Sequence, residues 1–381
     1  MVGFDATGVF NVARLDKISV GGFRSIQLLD SFPLTNINLL IGANGSGKSN
    51  FLELFRLIRA YAKLPIPALS DVDLKKYVLD FGTASDFIYK GLPKSTSITI
   101  ELHFGKHGYR FSLKPTQAGL LRIDDEYLQE AHDDTWQTLH SPDGYTPGLL
   151  GELFVSCSTA SLVYESIKNW QMYHFHDTGR LAAMKLHQDA NDTAYLRSDG
   201  SNIASFLLSL RDNPASASAY REILNAVRLV APFIDDFILE PTPAEKVRLM
   251  WRQKGTDVPM QPQALSDGTL RFICLAVALL QPKVSDTIII DEPELGLHPF
   301  AISILSELIE GRAHDTQVIM ATQSPELVSC FGAEDIIICD RHQGSSSFTR
   351  LDRKNISLWL EEYSLGELWQ KGILNGEPTH E

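Results

Sequence analysis

The period of apolar and polar positions divides this chain into three stretches. In the first hundred or so residues short apolar runs alternate with turns, predicting strands at 15–20, 26–29 and 37–41 and an antiparallel hairpin from 97–104 and 109–113. Between them, 50–58 repeats apolar residues at helical spacing. From about 120 to 260 the pattern is irregular: the Gly- and Pro-containing stretch 141–148 separates predicted helices at 161–170, 203–210 and 219–230. After 261 helix and strand alternate, with helices at 267–280 and 300–309 and strands at 287–290, 317–321 and 335–339, which predicts a parallel sheet. Three segments follow: an N-terminal lobe at 1–119, an inserted and mainly helical lobe at 120–260, and a C-terminal lobe at 261–381. The serines at 345–347 read as a short linker.

Candidate chemistry sits at the joins. Residues 42–49, G-A-N-G-S-G-K-S, fit G-x-x-x-x-G-K-[ST] at every fixed position, with a strand pattern before and a helix pattern after. Such a loop turns backbone N–H groups inward around phosphates, and the helix N-terminus adds positive dipole. Lys48 is expected on the β- and γ-phosphates and the Ser49 hydroxyl on Mg²⁺, so ATP and Mg²⁺ are the expected cofactors. Asn44, Gly45, Ser46, Gly47 and Asn50 complete the expected cradle.

The apolar run at 287–290 ends in Asp291-Glu292-Pro293, where α/β sheets carry catalytic groups. Asp291 is expected to hold Mg²⁺ through its water shell, and Glu292 to take a proton from the attacking water. Leu265-Ser266-Asp267-Gly268 opens the helix at 267–280. A second helix N-terminus with a serine hydroxyl and a glycine is suited to another phosphate, namely that held by a second copy. A head-to-tail homodimer enclosing two ATP molecules is the expectation, with plain N-capping by Ser266 as the alternative.

These elements, in this order, resemble the ATP-binding-cassette ATPase head of the branch related to RecF, structural-maintenance-of-chromosomes (SMC) proteins and overcoming-lysogenization-defect ATPases. Gly22-Phe23-Arg24-Ser25 is similar to the branch's N-F-R-S motif, which implies Arg24 beside the nucleotide. D-E-P-E-L-G-L-H-P at 291–299 resembles its catalytic strand end and D-loop, which implies a contact from His298 to the partner's phosphate loop. A-T-Q-S-P-E-L at 321–327 resembles its γ-phosphate switch, with Gln323 where histidine is usual, so the residue can hydrogen-bond but carry no positive charge. The stretches 170–178 and 359–369 are similar to a group of stand-alone bacterial ATPases of this branch. The resemblance implies a P-loop NTPase fold of α/β class, hydrolysis catalysed by Glu292, Gln323 and Lys48, and service to a separately encoded effector or to DNA in anti-phage defence or repair. Two alternatives stay open: a transporter ATPase subunit, disfavoured by the Phe23-Arg24-Ser25 motif and by the lack of an identifiable glutamine loop, and a non-hydrolysing nucleotide sensor.

Composition trims this picture. A net charge of −13 confines any DNA contact to a local patch, and the visible basic positions, such as Lys75-Lys76, read as solvated surface. No window resembles a spanning helix and the N-terminus lacks a leader pattern, so a cytoplasmic protein without a membrane partner is expected. The four scattered cysteines, Cys157, Cys274, Cys330 and Cys339, form no C-x-x-C and suggest buried thiols. His174 and His176, followed by Asp177, have ligand-like spacing but no third partner, which favours a structural or interface pair over a metal site.

Overall fold

In the computed structural model, residues 14–62, 74–91, 95–131, 135–139, 158–282 and 285–374 are described; Cys157 and the stretch 141–148 lie outside them. Contacts divide the chain into two units, Met1–Trp170 with Glu334–Asn355 and Lys371–Glu381, and Gln171–Ala333 with Ile356–Gln370. The three segments expected from motifs are a division of another kind, and 120–260 contributes to both units.

In the first unit, β1 (Lys17–Phe23) turns at Arg24 into β2 (Ile26–Pro33), and β3 (Ile37–Ile41) follows. The expected hairpin is β4 (Ile98–Phe104) and β5 (His107–Pro115), closed where Phe104 faces His107. Two further strands, β6 (Leu121–Gln129) and β7 (Trp136–Leu139), extend an antiparallel sheet of order β2-β1-β4-β5-β6-β7. The sequence hid β6 because a bulge shifts its register opposite Ser112/Leu113, breaking the two-residue period, and because Glu126 occupies a buried position.

The P-loop helix α1 (Lys48–Ala62) is preorganised by this core. Phe51, Leu54, Phe55, Leu57 and Ile58 are fully buried, each worth roughly 1.5–3 kcal/mol of transfer free energy. Phe51 packs its ring against Phe32 and Phe348, and Phe55 packs against Trp170. At the far end Tyr61 stacks on Phe111 at 4.1 Å between centroids, and the Tyr61 and Tyr109 hydroxyls donate to buried Glu126. Burial pushes both phenol pKa values well up, so these hydroxyls stay protonated donors. Short helices α2 (Leu74–Phe81) and α3 (Ala84–Phe87) and the longer α4 (Ser158–Lys168) complete this side.

In the second unit, β8 (Gln171–Tyr173), β14 (Thr287–Asp291) and β15 (Gln317–Ala321) form a parallel ladder with β14 in the middle. Minor pairings join β9 (Gln188–Asp189) to β11 (Lys246–Val247), and β10 (Ile234–Ile238) to β12 (Met250–Gln253) and β13 (Pro259–Met260). Helices α5 (Ile203–Asp212), α6 (Ala217–Val230), α7 (Asp267–Leu280) and α8 (Pro299–Ala313) pack on one another, α8 also against β15, and α9 (Pro325–Val328) follows β15. Every residue of α7 from Leu270 to Leu279 is buried, and all but Arg271 are apolar, as expected of a helix enclosed by its neighbours. Among the described residues no helix is long and apolar enough to cross a membrane.

Back in the first unit, β16 (Ile336–His342) pairs in parallel with β3 and antiparallel with β17 (Ser345–Arg350). The serines expected as a linker therefore begin a strand. Alternating burial of Ser346 and Phe348 gives β17 its inward face, while the small hydroxyl side chains carry no apolar signal by which sequence patterning could find it.

Candidate functional site

Strand β3 delivers the chain into the loop 42–49, and Lys48 opens α1. Gly47 has φ +115°, and a Cβ there would overlap the Ser346 hydroxyl, so glycine is required both for conformation and for space. Ser346 is a contributor that sequence reasoning missed. Its hydroxyl donates to the Ser46 carbonyl at 2.6 Å and lies 2.7 Å from the Ser25 hydroxyl, and its N–H donates to the Ser25 carbonyl at 2.7 Å. The Asn50 amide donates to the same Ser25 hydroxyl at 2.7 Å. Buried Lys48 extends its ammonium along the loop, donating to the carbonyls of Gly42 at 2.6 Å and Ala43 at 3.1 Å. Asn44, Gly45 and Ser49 are exposed around this buried frame.

Arg24 stands beside the loop at φ +48°. Its N–H donates to the Phe87 carbonyl at 2.8 Å, and its guanidinium sits 5.0 Å from the Phe87 ring centroid, within cation–π range. Arg24, Ser25, Asn50, Asp86, Ile88, Lys90, Gly91, Arg341 and Gly344 line an open cavity of about 390 Å³.

In the second unit β14 carries Asp291 at its end, and Glu292 follows at φ +47°, its N–H bonded to the Ala321 carbonyl at 2.9 Å. The Gln323 side-chain amide donates to the Glu292 carboxylate. This pairing ties the expected switch residue to the expected base. Glu294, to which no motif reading assigned a role, is buried and accepts from the Thr322 hydroxyl at 2.6 Å and the Gln323 N–H at 3.0 Å, pinning the strand end that carries the switch. Burial pushes the Glu294 pKa up, with those two hydrogen bonds opposing. A carboxylate with a raised folded-state pKa contributes stability that is full below its ordinary value and is lost as pH rises through the raised one. Glu294→Gln should therefore gain on the parent, in unfolding free energy by denaturant titration, as pH rises from about 4.5 toward neutrality. A difference independent of pH would refute this.

Ser266 caps α7: its hydroxyl accepts from the Thr269 N–H at 3.1 Å, and the side chain is exposed. A Cβ on Gly268 would overlap the Gly296 carbonyl, so this glycine has a reason within its own chain: it lets α7 approach the loop after β14. The buried guanidinium of Arg271 ties the same parts together, donating to the carbonyls of Phe175 at 2.9 Å, Leu295 at 2.8 Å and His176 at 3.0 Å. Lys185, also buried, donates to Asp267 at 3.2 Å and to the Thr178 carbonyl at 2.6 Å. His298 is exposed and caps α8, its Nδ1 accepting from the Phe300 N–H at 3.2 Å. His174 and His176 lie beyond β8 with rings 3.7 Å apart, and His176 Nε2 donates to the Asp291 carbonyl at 3.2 Å. Among the described residues no group of three or more His, Cys, Asp or Glu could hold a metal ion. Cys274 and Cys339 are buried with their thiol pKa values pushed up by burial, as expected for inert thiols, and Cys330 is half-buried.

A glycine–lysine loop running into a buried helix, and a parallel ladder ending in paired carboxylates, define a P-loop NTPase head. The chain belongs to the family described as "AAA domain, putative AbiEii toxin, Type IV TA system", which matches residues 37–329. Among solved structures it is similar to an SMC head bound to the C-terminal winged-helix domain of ScpA, with TM-score 0.56 and 14% identity over 90% of this chain and 99% of that one. It is also similar to the Smc head domain with an extended coiled coil, bound to the C-terminal domain of ScpA from Pyrococcus furiosus, with TM-score 0.55 and 16% identity over 92% and 99%. At such identities the likeness shows the fold, and with the family it supports nucleotide-binding ATPase activity, the level at which the sequence resemblance holds. No curated protein matches the chain.

Proposed function

We propose that this chain is a Mg²⁺-dependent ATPase that pairs with a second copy around ATP and uses the cycle to act on a separately encoded protein or on DNA. The observation that carries the reading is the preformed cradle at 42–49, with Lys48 buried at the head of α1 and Gly47 seated on Ser346. Asn44, Gly45, Ser46, Gly47 and Asn50 surround the phosphates in this reading, and Arg24 stands beside the nucleotide. The Ser49 hydroxyl and the Asp291 carboxylate are hard oxygen donors of the kind Mg²⁺ takes. When bound, the ion neutralises charge developing on the phosphoryl oxygens. Glu292 accepts the proton of the attacking water, and Gln323 orients that carboxylate and hydrogen-bonds the γ-phosphate. Ser266, Gly268 and His298 serve the triphosphate held by the second copy; exposure of Ser266 and His298 leaves both accessible for this.

The two similar SMC heads were each captured with a domain of ScpA, and the family description names a toxin system, which supports a protein partner and a defence role. One observation favours a second reading, a nucleotide-sensing switch with little turnover: the residue bonded to Glu292 is a neutral amide, not an imidazole. Light scattering with ADP and with ATP, and phosphate release with and without double-stranded DNA, separate the two. Mass doubling with ATP alone and DNA-stimulated release support the ATPase reading. Doubling without release supports the switch, and an unchanged monomer in both nucleotides overturns the pairing.

A further inference from the structure

The cavity beside the phosphate loop carries two cations that no sequence motif singles out. Arg341, at the end of β16, donates to the Gly45 carbonyl at 3.1 Å and so reaches the phosphate loop itself. Lys90 approaches from the other wall, donating to the Gln343 carbonyl at 2.7 Å in the β16–β17 turn. With Arg24 they place three positive groups against one carboxylate, Asp86, in a cavity belonging to a chain of net charge −13. That local reversal of sign is what an anionic ligand requires.

Of the six non-glycine residues with positive φ among those described, Arg24, Lys90 and Gln343 lie at this cavity or bond directly to its wall. Arg24 and Gln343 take this conformation in two-residue hairpin turns, Phe23 facing Ile26 and His342 facing Ser345, so tight turns carry the walls of the cavity. The cavity is lined by Asn50, in the first turn of α1, and not by Lys48 or Ser49. With the outer phosphates assigned to Lys48 above, the α-phosphate and nucleoside are the parts left to reach this cavity. The volume, about 390 Å³, falls in the range of small-molecule sites.

We infer that Lys90 and Arg341 are nucleotide ligands that hold the α-phosphate and nucleoside end in the cavity of Arg24, Asn50 and Asp86. The inference rests on the nucleotide reading above and adds to it a second anchoring point, carried by the 88–91 turn and the β16–β17 hairpin. Because the α-phosphate and nucleoside are common to ADP and ATP, the two cations raise affinity for both by the same factor, whereas Lys48 discriminates between them.

The test is calorimetric titration of the full chain with ADP and with ATP in Mg²⁺, for the parent, Arg341→Ala, Lys90→Ala and Lys48→Ala. Each of the first two substitutions is expected to weaken ADP and ATP binding equally, by roughly tenfold or more, as for loss of one charge-assisted hydrogen bond. Lys48→Ala is expected to change the ratio of the two affinities. Arg341 touches the loop, so damage to the loop alone would also change that ratio; Lys90 does not touch it and supplies the independent measurement. Arg341→Lys, keeping charge, should recover part of the loss. Affinities within twofold of the parent for both alanine variants, or a loss confined to ATP, would overturn the assignment. A parent chain that binds neither nucleotide would instead bring down the nucleotide reading, and this inference with it.

Discussion

Glu292→Gln is expected to bind ATP as tightly as the parent, to lose phosphate release by about 10²–10⁴-fold, and to accumulate as an ATP-bound pair in light scattering. The substitution removes the proton acceptor while keeping the shape and one hydrogen-bonding oxygen for the Gln323 amide. Glutamine is the informative replacement because it keeps the side-chain oxygen that the Gln323 amide bonds, whereas alanine would remove that contact together with the carboxylate. The neutral variant also loses repulsion against the γ-phosphate, which adds to trapping. A variant that releases phosphate at the parent rate would remove Glu292 from the role of base.

Ser266→Arg is expected to abolish turnover while leaving ATP affinity at the Lys48 loop unchanged. Ser266 is exposed at the tip of α7, so a long cation there spoils its contact with the second copy's triphosphate without filling its own core. The lost N-cap costs roughly 1 kcal/mol, small enough for the fold to survive, and a thermal melt checks that it does. The decisive measurement mixes this variant with Lys48→Ala. In a head-to-tail pair one of the two sites in each mixed dimer is assembled from intact halves, so random pairing restores about a quarter of parent turnover. No recovery on mixing, with both variants folded, would mean that each chain completes its own site and that capping is the whole role of Ser266.

Legibility in the sequence followed the kind of signal each residue carries. The loop 42–49 was visible because phosphate binding fixes residue types at consecutive positions, and α1 and β14 were visible through uninterrupted periodicity. Glu294 and Ser346 escaped because their roles depend on partners remote in the chain: Thr322 for the first, Ser25 and Ser46 for the second. Neither type advertises burial, since glutamate and serine are usually surface residues. Strand β6 was hidden by a bulge and by the inward Glu126, whose two tyrosine donors come from α1 and β5. Ser266 and Gly268 were legible as an α7 N-terminus, but the sequence could not reveal that Gly268 is also demanded by the Gly296 carbonyl.

The dependence of the phosphate loop on Ser346 sets an order of events during synthesis. Strand β3, Ser46 and Gly47 emerge from the ribosome roughly three hundred residues ahead of β16 and β17, against which they are braced. A nascent chain halted before that hairpin carries the complete phosphate motif without its support, so competence to hold nucleotide awaits the synthesis of β16 and β17. Ribosome-tethered chains ending before and after the hairpin would differ in retention on immobilised nucleotide.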